Sequence, residues 1–271
     1  MDLQRVSLNF LAKCGVGTLL SIYATCLTGC STPPRSADGD AVIAKKREQS
    51  ISVVLVEAFE NRIGILSQHK NTETQVFLRK LAGRLSASDS ALREAPLGVF
   101  EIEDWGGKWH SFGLPGNRIY IPRALVREME FENELAGVIA YELAHLQMRH
   151  VLDGMSVRQG GNSESVYSGA LLGSTEFFGP TGVFNFRKEQ RVAAAGLAIG
   201  LLYDAGYDPR GLIAFWETYR GKRSKKAPYD PGVLKAMLEK ARAEIALRTP
   251  LRNPIVRSIE FLELRKKAGR L

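Results

Sequence analysis

The feature that most constrains this chain is residues 132–150, ENELAGVIAYELAHLQMRH, whose pattern predicts a long helix. Its first turn is acidic and its last turn is basic, as the helix dipole favours. The stretch VIAYELAH (138–145) lacks one residue of the motif His-Glu-x-x-His, because Tyr141 occupies the first histidine position. The chemistry of the helix therefore depends on what a tyrosine can do there.

In that motif, two histidines one turn apart bind a single zinc ion, and the glutamate between them polarises a metal-bound water. A third ligand comes from a later helix. Glu142 and His145 are in register for the general base and for one ligand. Tyr141 is a poor ligand, because a phenol has a pKa of about 10 and must lose its proton to bind metal.

The rest of the chain is mostly helical, with a short β-rich stretch before the long helix. Strands are predicted within 97–104 and 109–122, where Pro115-Gly116-Asn117 marks a turn. Helical patterns occupy 72–87, ALVREM (124–129), 187–206, the stretch with Pro209 in its first turn, 231–248 and 254–267. Residues 153–187 have no steady period. The prediction is an α+β domain dominated by helices, with a small β-sheet before the central helix.

The stretch from Phe112 to His150 resembles the core of the HtpX/BepA-like zinc metallopeptidases, the gluzincin family M48. The family carries an LPGG hairpin, then the motif helix, then an Arg-His pair. This chain has LPGN, YELAH and Arg149-His150 in that order, and it also keeps AGYDPRG (205–211). The resemblance covers roughly residues 72–267. It implies a zincin-like metallopeptidase domain, which we place at 41–271.

The resemblance also locates the third ligand. In the family, a Glu-Ala-Asp pattern precedes the segment that matches AGYDPRG, and it falls here on Ala193-Ala194-Ala195. The zinc-binding glutamate is thus replaced by Ala193 and a neighbouring acid by Ala195. Glu142 becomes a vestigial general base and His145 a vestigial ligand. No cofactor is expected, because two of three ligand positions, Tyr141 and Ala193, are replaced.

One alternative keeps the metal. Glu189 lies one turn before Ala193, so Tyr141 phenolate, His145 and Glu189 form a possible atypical zinc set. His110 and His150 are spare donors. His150 follows His145 by five residues, so its side chain is expected to point to a different sector of the helix.

The surviving residues also have structural interpretations. His145 is expected to be a buried, hydrogen-bonded histidine, and Glu142 needs a partner, which His145 or Tyr141 could supply. Phe177, Phe178, Phe184 and Phe186 are expected to form core or a lid over the former cleft, and Phe215, Trp216 and Tyr219 to pack between helices.

The N-terminus predicts a lipoprotein. Arg5 and Lys13 precede an apolar run that is short for a bilayer span, and the run ends in Leu27-Thr28-Gly29-Cys30, which resembles a bacterial lipobox. Residues 1–29 are then a signal peptide, Cys30 carries lipid, and 30–40 form a tether. Ser31 favours the outer membrane, facing the periplasm, by analogy with other lipoproteins.

Composition excludes two classes of function. Cys14 and Cys26 lie in the predicted signal peptide and Cys30 is the lipidation site, so cysteine catalysis and disulfides are excluded from the mature domain. The net charge of +8 resides largely in 221–226 and 265–270, where no nucleic-acid motif occurs. Partners are therefore a membrane, through the lipid, and envelope proteins or unfolded peptides, but not nucleic acid.

Three functions remain open. The first is a metallopeptidase-like envelope protein that has lost zinc and proteolysis and binds peptide along a sheet edge near 110–121. The second is an active zinc endopeptidase of envelope protein quality control with an unusual ligand set. The third is a purely structural lipoprotein. An open groove beside that edge favours the first, and a groove filled by 153–187 favours the third.

Overall fold

A computed structural model describes residues 37–61, 72–87, 97–102, 111–158, 177–178, 182–222 and 229–267 of the chain. Glu48–Leu271 form one compact unit, to which the following description applies, and Met1–Arg47 belong to a second unit. The predicted signal peptide, Cys30 and His110 lie outside the described residues. Among the described helices, none is both long and apolar enough to cross a membrane.

Nine helices and three strands make up the described part of the chain. They are α1 (Ala37–Glu60), α2 (Glu73–Ala87), β1 (Gly98–Ile102), β2 (Phe112–Leu114), β3 (Arg118–Pro122), α3 (Arg123–Glu128), α4 (Glu132–Gln147), α5 (His150–Arg158), α6 (Lys188–Asp204), α7 (Arg210–Lys222), α8 (Pro231–Ala246) and α9 (Ile259–Lys267). The predicted α+β class, helix-dominated with the sheet before the central helix, is confirmed.

The three strands form one sheet in the order β1-β3-β2. β1 pairs with β3 in parallel, and β2 pairs with β3 as an antiparallel hairpin. The predicted turn joins the hairpin, with Gly116 at φ 89° and Asn117 at φ 57°. Glycine and asparagine are the residues that tolerate this left-handed region best, so the turn chemistry explains the hairpin. β2 is an edge strand of the sheet.

Helix α4 lies at the centre of the fold, and every residue from Glu132 to His145 is buried. It packs against α6 on one side and α7 on another. The α4–α7 crossing is close because glycines line it: a Cβ on Gly137 would lie 2.9 Å from the Cα of Leu212, and a Cβ on Gly211 would lie 2.6 Å from Asn133. The helix therefore holds its motif residues inside protein rather than on a surface.

The N-terminus of α4 is fixed by its two acidic residues. Glu134 accepts hydrogen bonds from the backbone N–H groups of Glu130 and Phe131, at 2.8 and 3.0 Å. Glu132 accepts from the hydroxyl of Tyr207 and from the backbone N–H of Ser258. These bonds satisfy polar groups at a buried helix end and join α4 to two distant segments.

Several helix boundaries differ from the predictions. The long helix ends at Gln147 rather than 150, because Arg149 adopts φ 57° and turns the chain. A further helix, α5, begins at His150 and runs into the region 153–187, which has no steady period. The last helix, predicted from residue 254, begins at Ile259, and α1 begins at Ala37, within the predicted tether.

Two hydrophobic clusters meet near the motif. The larger unites α2, α4 and α6–α9 with one face of the sheet. The smaller joins α1, β2, α5 and the buried rings of Phe177 and Phe178. The predicted core role of these two phenylalanines is confirmed, and Trp216 of α7 is likewise buried in the larger cluster.

Candidate functional site

His145 lies fully inside the fold, with 1% of its surface exposed. The ring of Phe186 stacks on its imidazole at 4.1 Å between centroids, and the ring of Tyr141 meets it edge-on at 4.7 Å. Burial lowers the pKa of His145 well below its ordinary value, and the nearby charges of His150 and Arg191 act in the same direction. The imidazole is therefore neutral at physiological pH.

The two ring nitrogens of His145 have different surroundings. Nδ1 lies 2.9 Å from Nδ1 of His150, so one of these nitrogens donates and the other accepts. Nε2 is buried and has no hydrogen-bond partner among the described residues. The expectation that His145 is buried and hydrogen-bonded is thus only half met, because one ring nitrogen has a partner and the other is buried without one.

The prediction for His150 was wrong, because its side chain does not point away from His145. The helix does not continue to residue 150. Arg149 in the left-handed region reverses the chain, and His150 begins α5 with its ring against His145. The ring centroids of the two histidines are 4.8 Å apart, and burial lowers the pKa of His150 as well.

Glu142 is bound to the edge strand. Its Oε1 accepts a hydrogen bond from Oγ of Ser111 at 2.8 Å, and its carboxyl also accepts from the backbone N–H of Gly113. A Cβ on Gly113 would lie 2.8 Å from Cγ of Leu146, so glycine lets β2 approach α4 this closely. The expected partners, His145 and Tyr141, are replaced by Ser111 and Gly113.

The protonation state of Glu142 does not suit a general base. Burial raises its pKa from 4.5 to about 8, against the opposing effects of the Ser111 hydrogen bond, the charge of Arg191 and the Gly113 hydrogen bond. The carboxyl is therefore mostly protonated at neutral pH. A protonated carboxyl cannot take a proton from a nucleophilic water.

Tyr141 points into the core of the fold. Its hydroxyl lies 3.9 Å from Sδ of Met237, and its ring meets that of Trp216 edge-on at 5.3 Å. Burial raises the pKa of the phenol well above its ordinary value of 10.0, and neighbouring Tyr229 adds to the effect. Tyr141 is thus a neutral phenol, whereas metal coordination requires the phenolate.

Ala193, which is predicted to replace the third ligand, is exposed on α6, while Ala194 and Ala195 are fully buried. Glu189, the alternative ligand, is also exposed in the first turn of α6. His145 and Tyr141, the other two members of the alternative ligand set, are buried.

Like Ser111, Arg191 is a site residue that was not predicted from the sequence. Its Nε donates to the backbone carbonyl of Phe186 at 3.0 Å and its Nη2 to that of Phe184 at 3.4 Å. Its guanidinium also lies over the ring of Tyr229, 5.0 Å from the centroid. One feature of the sequence could have indicated its role: Arg191 is a cation near the start of a helix, where the helix dipole disfavours positive charge.

The donor atoms do not fit a zinc ion. Zinc in a peptidase takes three protein ligands and a water in a tetrahedral arrangement. Within the described ranges, no three His, Cys, Asp or Glu side chains come close enough together to hold a metal. Among the described motif atoms, His145 Nε2 is buried without a hydrogen-bond partner, and Phe186 stacks on its ring.

Comparison with known proteins identifies the ancestry of this site. The sequence model described as Peptidase family M48 matches residues 107–249. The chain is 26% identical to the Beta-barrel assembly-enhancing protease of Escherichia coli O157:H7 over 157 residues, which cover 52% of this chain and 31% of that protein. It is 24% identical to the protein of the same name from Yersinia pestis over 159 residues, which cover 51% and 31%. The match thus spans less than a third of either relative. Because the matched family region exceeds half of the 271 residues, the chain belongs to Peptidase family M48.

Proposed function

We propose that this M48 protein is a non-proteolytic, metal-free member of its family, anchored in the bacterial envelope by lipid on Cys30, and that it acts by binding protein segments. The observation that carries the proposal is the packing of His145: Phe186 is stacked on its ring and Tyr141 lies against its edge. Aromatic side chains thus fill the space beside the residue that would bind zinc.

The state of the remaining motif residues supports loss of catalysis. Peptide hydrolysis by this family's chemistry requires an activated water and a base that removes its proton. Glu142 is held protonated and is bonded to Ser111 and Gly113 of the edge-strand region.

The edge strand supports a binding role. Gly113 is the central residue of β2, opposite Ile119 of β3. Its N–H points away from the hairpin partner and toward Glu142. An extended peptide that adds to this edge must displace the carboxyl of Glu142, which leaves binding possible but makes it weaker than at a free edge.

The envelope setting suggests the kind of protein bound. The relatives are named for enhancing β-barrel assembly, and unfolded β-barrel precursors are extended chains with unpaired backbone groups. Such segments suit a sheet edge. We propose precursors of this kind as the partners.

A structural role is the second candidate, and one observation favours it. The described residues 182–187 lie over the motif, and Phe184 packs on Phe112 of β2 at 5.1 Å. If this packing is permanent, the edge is closed and the protein works only through its outer surface.

An assay with unfolded casein separates these functions. We expect the immobilised wild-type protein to retain casein without cleaving it into fragments. We expect Glu142→Ala to bind casein more tightly, because the N–H of Gly113 is then free to pair with the peptide. Glu142→Gln is the matched control, since its amide oxygen still accepts from Gly113.

The outcomes of this assay differ clearly. Fragments that disappear in Glu142→Gln would establish an active protease and overturn the proposal. Equal, negligible binding by the wild type and Glu142→Ala would favour the structural role.

A further inference from the structure

Arg191 reaches the motif from α6, two residues before the position of the missing glutamate. Its guanidinium is part-buried and is held by two backbone carbonyls, those of Phe184 and Phe186. It also faces two aromatic rings: Tyr229 at 5.0 Å and Phe186 at 5.7 Å. A cation in so apolar a setting is stable only with such partners.

One cation acts on all three motif side chains at once. The charge of Arg191 lowers the pKa of Tyr141, of Glu142 and of His145. Its contacts connect it to two of these side chains: Phe186, whose carbonyl it binds, stacks on His145 at 4.1 Å. Tyr229, over which it lies, meets the ring of Tyr141 edge-on at 6.5 Å. The guanidinium is therefore fixed beside the aromatic packing that surrounds His145 and Tyr141.

We propose that Arg191 takes the place of the lost metal: its guanidinium supplies the fixed positive charge of the site, secures residues 184–186 over His145, and excludes zinc. The inference deepens the proposed function, because it concerns the same site and explains how the fold tolerates the loss of its metal.

The chemistry of arginine suits this role. Guanidinium has five N–H donors and no acceptor, so it binds carbonyls and ring faces but cannot coordinate a metal. Zinc needs the lone pair of His145 Nε2, an atom that is buried, and the segment that Arg191 holds packs on this imidazole. A divalent ion entering this space also meets a fixed like charge in a medium of low dielectric constant.

The test restores the ligands with and without Arg191. The full-length chain is purified in detergent as Tyr141→His/Ala193→Glu and as the same variant with Arg191→Gln, and affinity for Zn²⁺ is measured by competition with a chromophoric chelator. We expect the triple variant to bind Zn²⁺ at least ~100-fold more tightly than the double variant, because the positive charge that repels the ion is removed. Adding Lys188→Gln instead removes the same charge from the exposed first residue of α6, and it should leave the affinity of the double variant unchanged.

Two results would overturn the inference. One is tight zinc binding by the double variant itself, equal to that of the triple. The other is an equal gain from Lys188→Gln, which would mean that only net charge matters. Zinc binding by the unaltered protein would instead refute the proposed function, so the two failures are distinguishable.

A second measurement does not depend on building a zinc site. Diethylpyrocarbonate modifies accessible neutral imidazoles, and His145 is covered in the unaltered chain. We expect Arg191→Ala to raise the rate of His145 modification by about tenfold or more, because residues 184–186 lose their anchor. The matched Lys188→Ala should not change the rate. An unchanged rate in Arg191→Ala, with the near-UV circular dichroism intact, contradicts the inference.

Discussion

At the scale of single residues, Tyr141 illustrates how a ligand position becomes part of a core. Its hydroxyl faces Met237 and Arg191, and its ring packs on Trp216 and His145. We expect Tyr141→Phe to change the free energy of unfolding by less than about 1 kcal/mol, because the lost hydroxyl makes only weak bonds. Tyr141→Ala should cost about 3–5 kcal/mol, since it empties the space that the ring fills.

Chemical denaturation of both variants measures these changes. If Tyr141 instead acted as a metal-bound phenolate, Tyr141→Phe would be as damaging as Tyr141→Ala, and its effect would vanish in the presence of a chelator.

Glu142 gives stability a dependence on pH. Its pKa is 4.5 unfolded and about 8 folded, so the folded state favours the neutral acid. This contribution is complete below pH 4.5 and is lost as pH rises through about 8. The two histidines have the opposite effect, because their pKa values in the folded state lie below 6.5. They lower the free energy of unfolding only as pH falls below 6.5.

Between pH 6.5 and 8, Glu142 is therefore the one of these three groups that changes the free energy of unfolding. We expect the free energy of unfolding to fall by roughly 1.4 kcal/mol per pH unit in this window. In Glu142→Gln, which does not titrate, the fall should be absent. Urea titrations at several pH values measure it, and a parallel decline in wild type and variant would show that Glu142 is ionised in the folded state.

At the scale of elements, the α4–α7 crossing positions the motif. A Cβ on Gly137 would meet the backbone of Leu212 at 2.9 Å, and backbone cannot move aside cheaply. We expect Gly137→Ala to destabilise the fold by about 2 kcal/mol through this overpacking. Gly83 of α2 is the matched control, because a Cβ there meets nothing within 4 Å. Gly83→Ala should stabilise by about 0.5–1 kcal/mol, the ordinary helix preference for alanine.

Thermal unfolding of the two alanine variants checks the contrast. A similar small change in both would mean that helix α7 does not approach α4 as closely as described.

Elements with strong local signals could be predicted from the sequence. The hairpin follows from Pro115-Gly116-Asn117, and α4 follows from its continuous apolar pattern between an acidic and a basic end. The break at Arg149 and the helix α5 have no comparable signal. Arg149 is not a residue that usually adopts positive φ, and the stability of α5 comes from packing on α1, β2 and Phe177. Such packing between distant segments leaves no period in the sequence.

At the scale of the whole molecule, the site was predictable in its ancestry but not in its contacts. The spacing of Tyr141, Glu142 and His145 and the family resemblance located the motif. The partners that now determine its chemistry come from elsewhere: Ser111 before β2, His150 after a reversed turn, and Phe186 and Arg191 around the start of α6. Their positions follow from tertiary packing, which a single sequence does not specify.

The fold also has a core that would persist if the motif bound no metal. A catalytic metal lies on a scaffold that has its own core, and here α4 is buried between α6, α7 and the sheet. His145 is packed between the rings of Phe186 and Tyr141. Arg191 binds the backbone carbonyl of Phe186. The whole domain can therefore persist as a binding or structural unit in the envelope, as we propose.

The most direct test of the central claim is the metal content of the unaltered protein. The full-length chain is expressed in zinc-supplemented medium, purified without chelator and analysed by inductively coupled plasma mass spectrometry. We predict less than about 0.1 zinc ion per chain, since the described side chains around His145 do not provide the three ligands that a tetrahedral site requires. About one zinc ion per chain, lost in His145→Ala, would contradict the account.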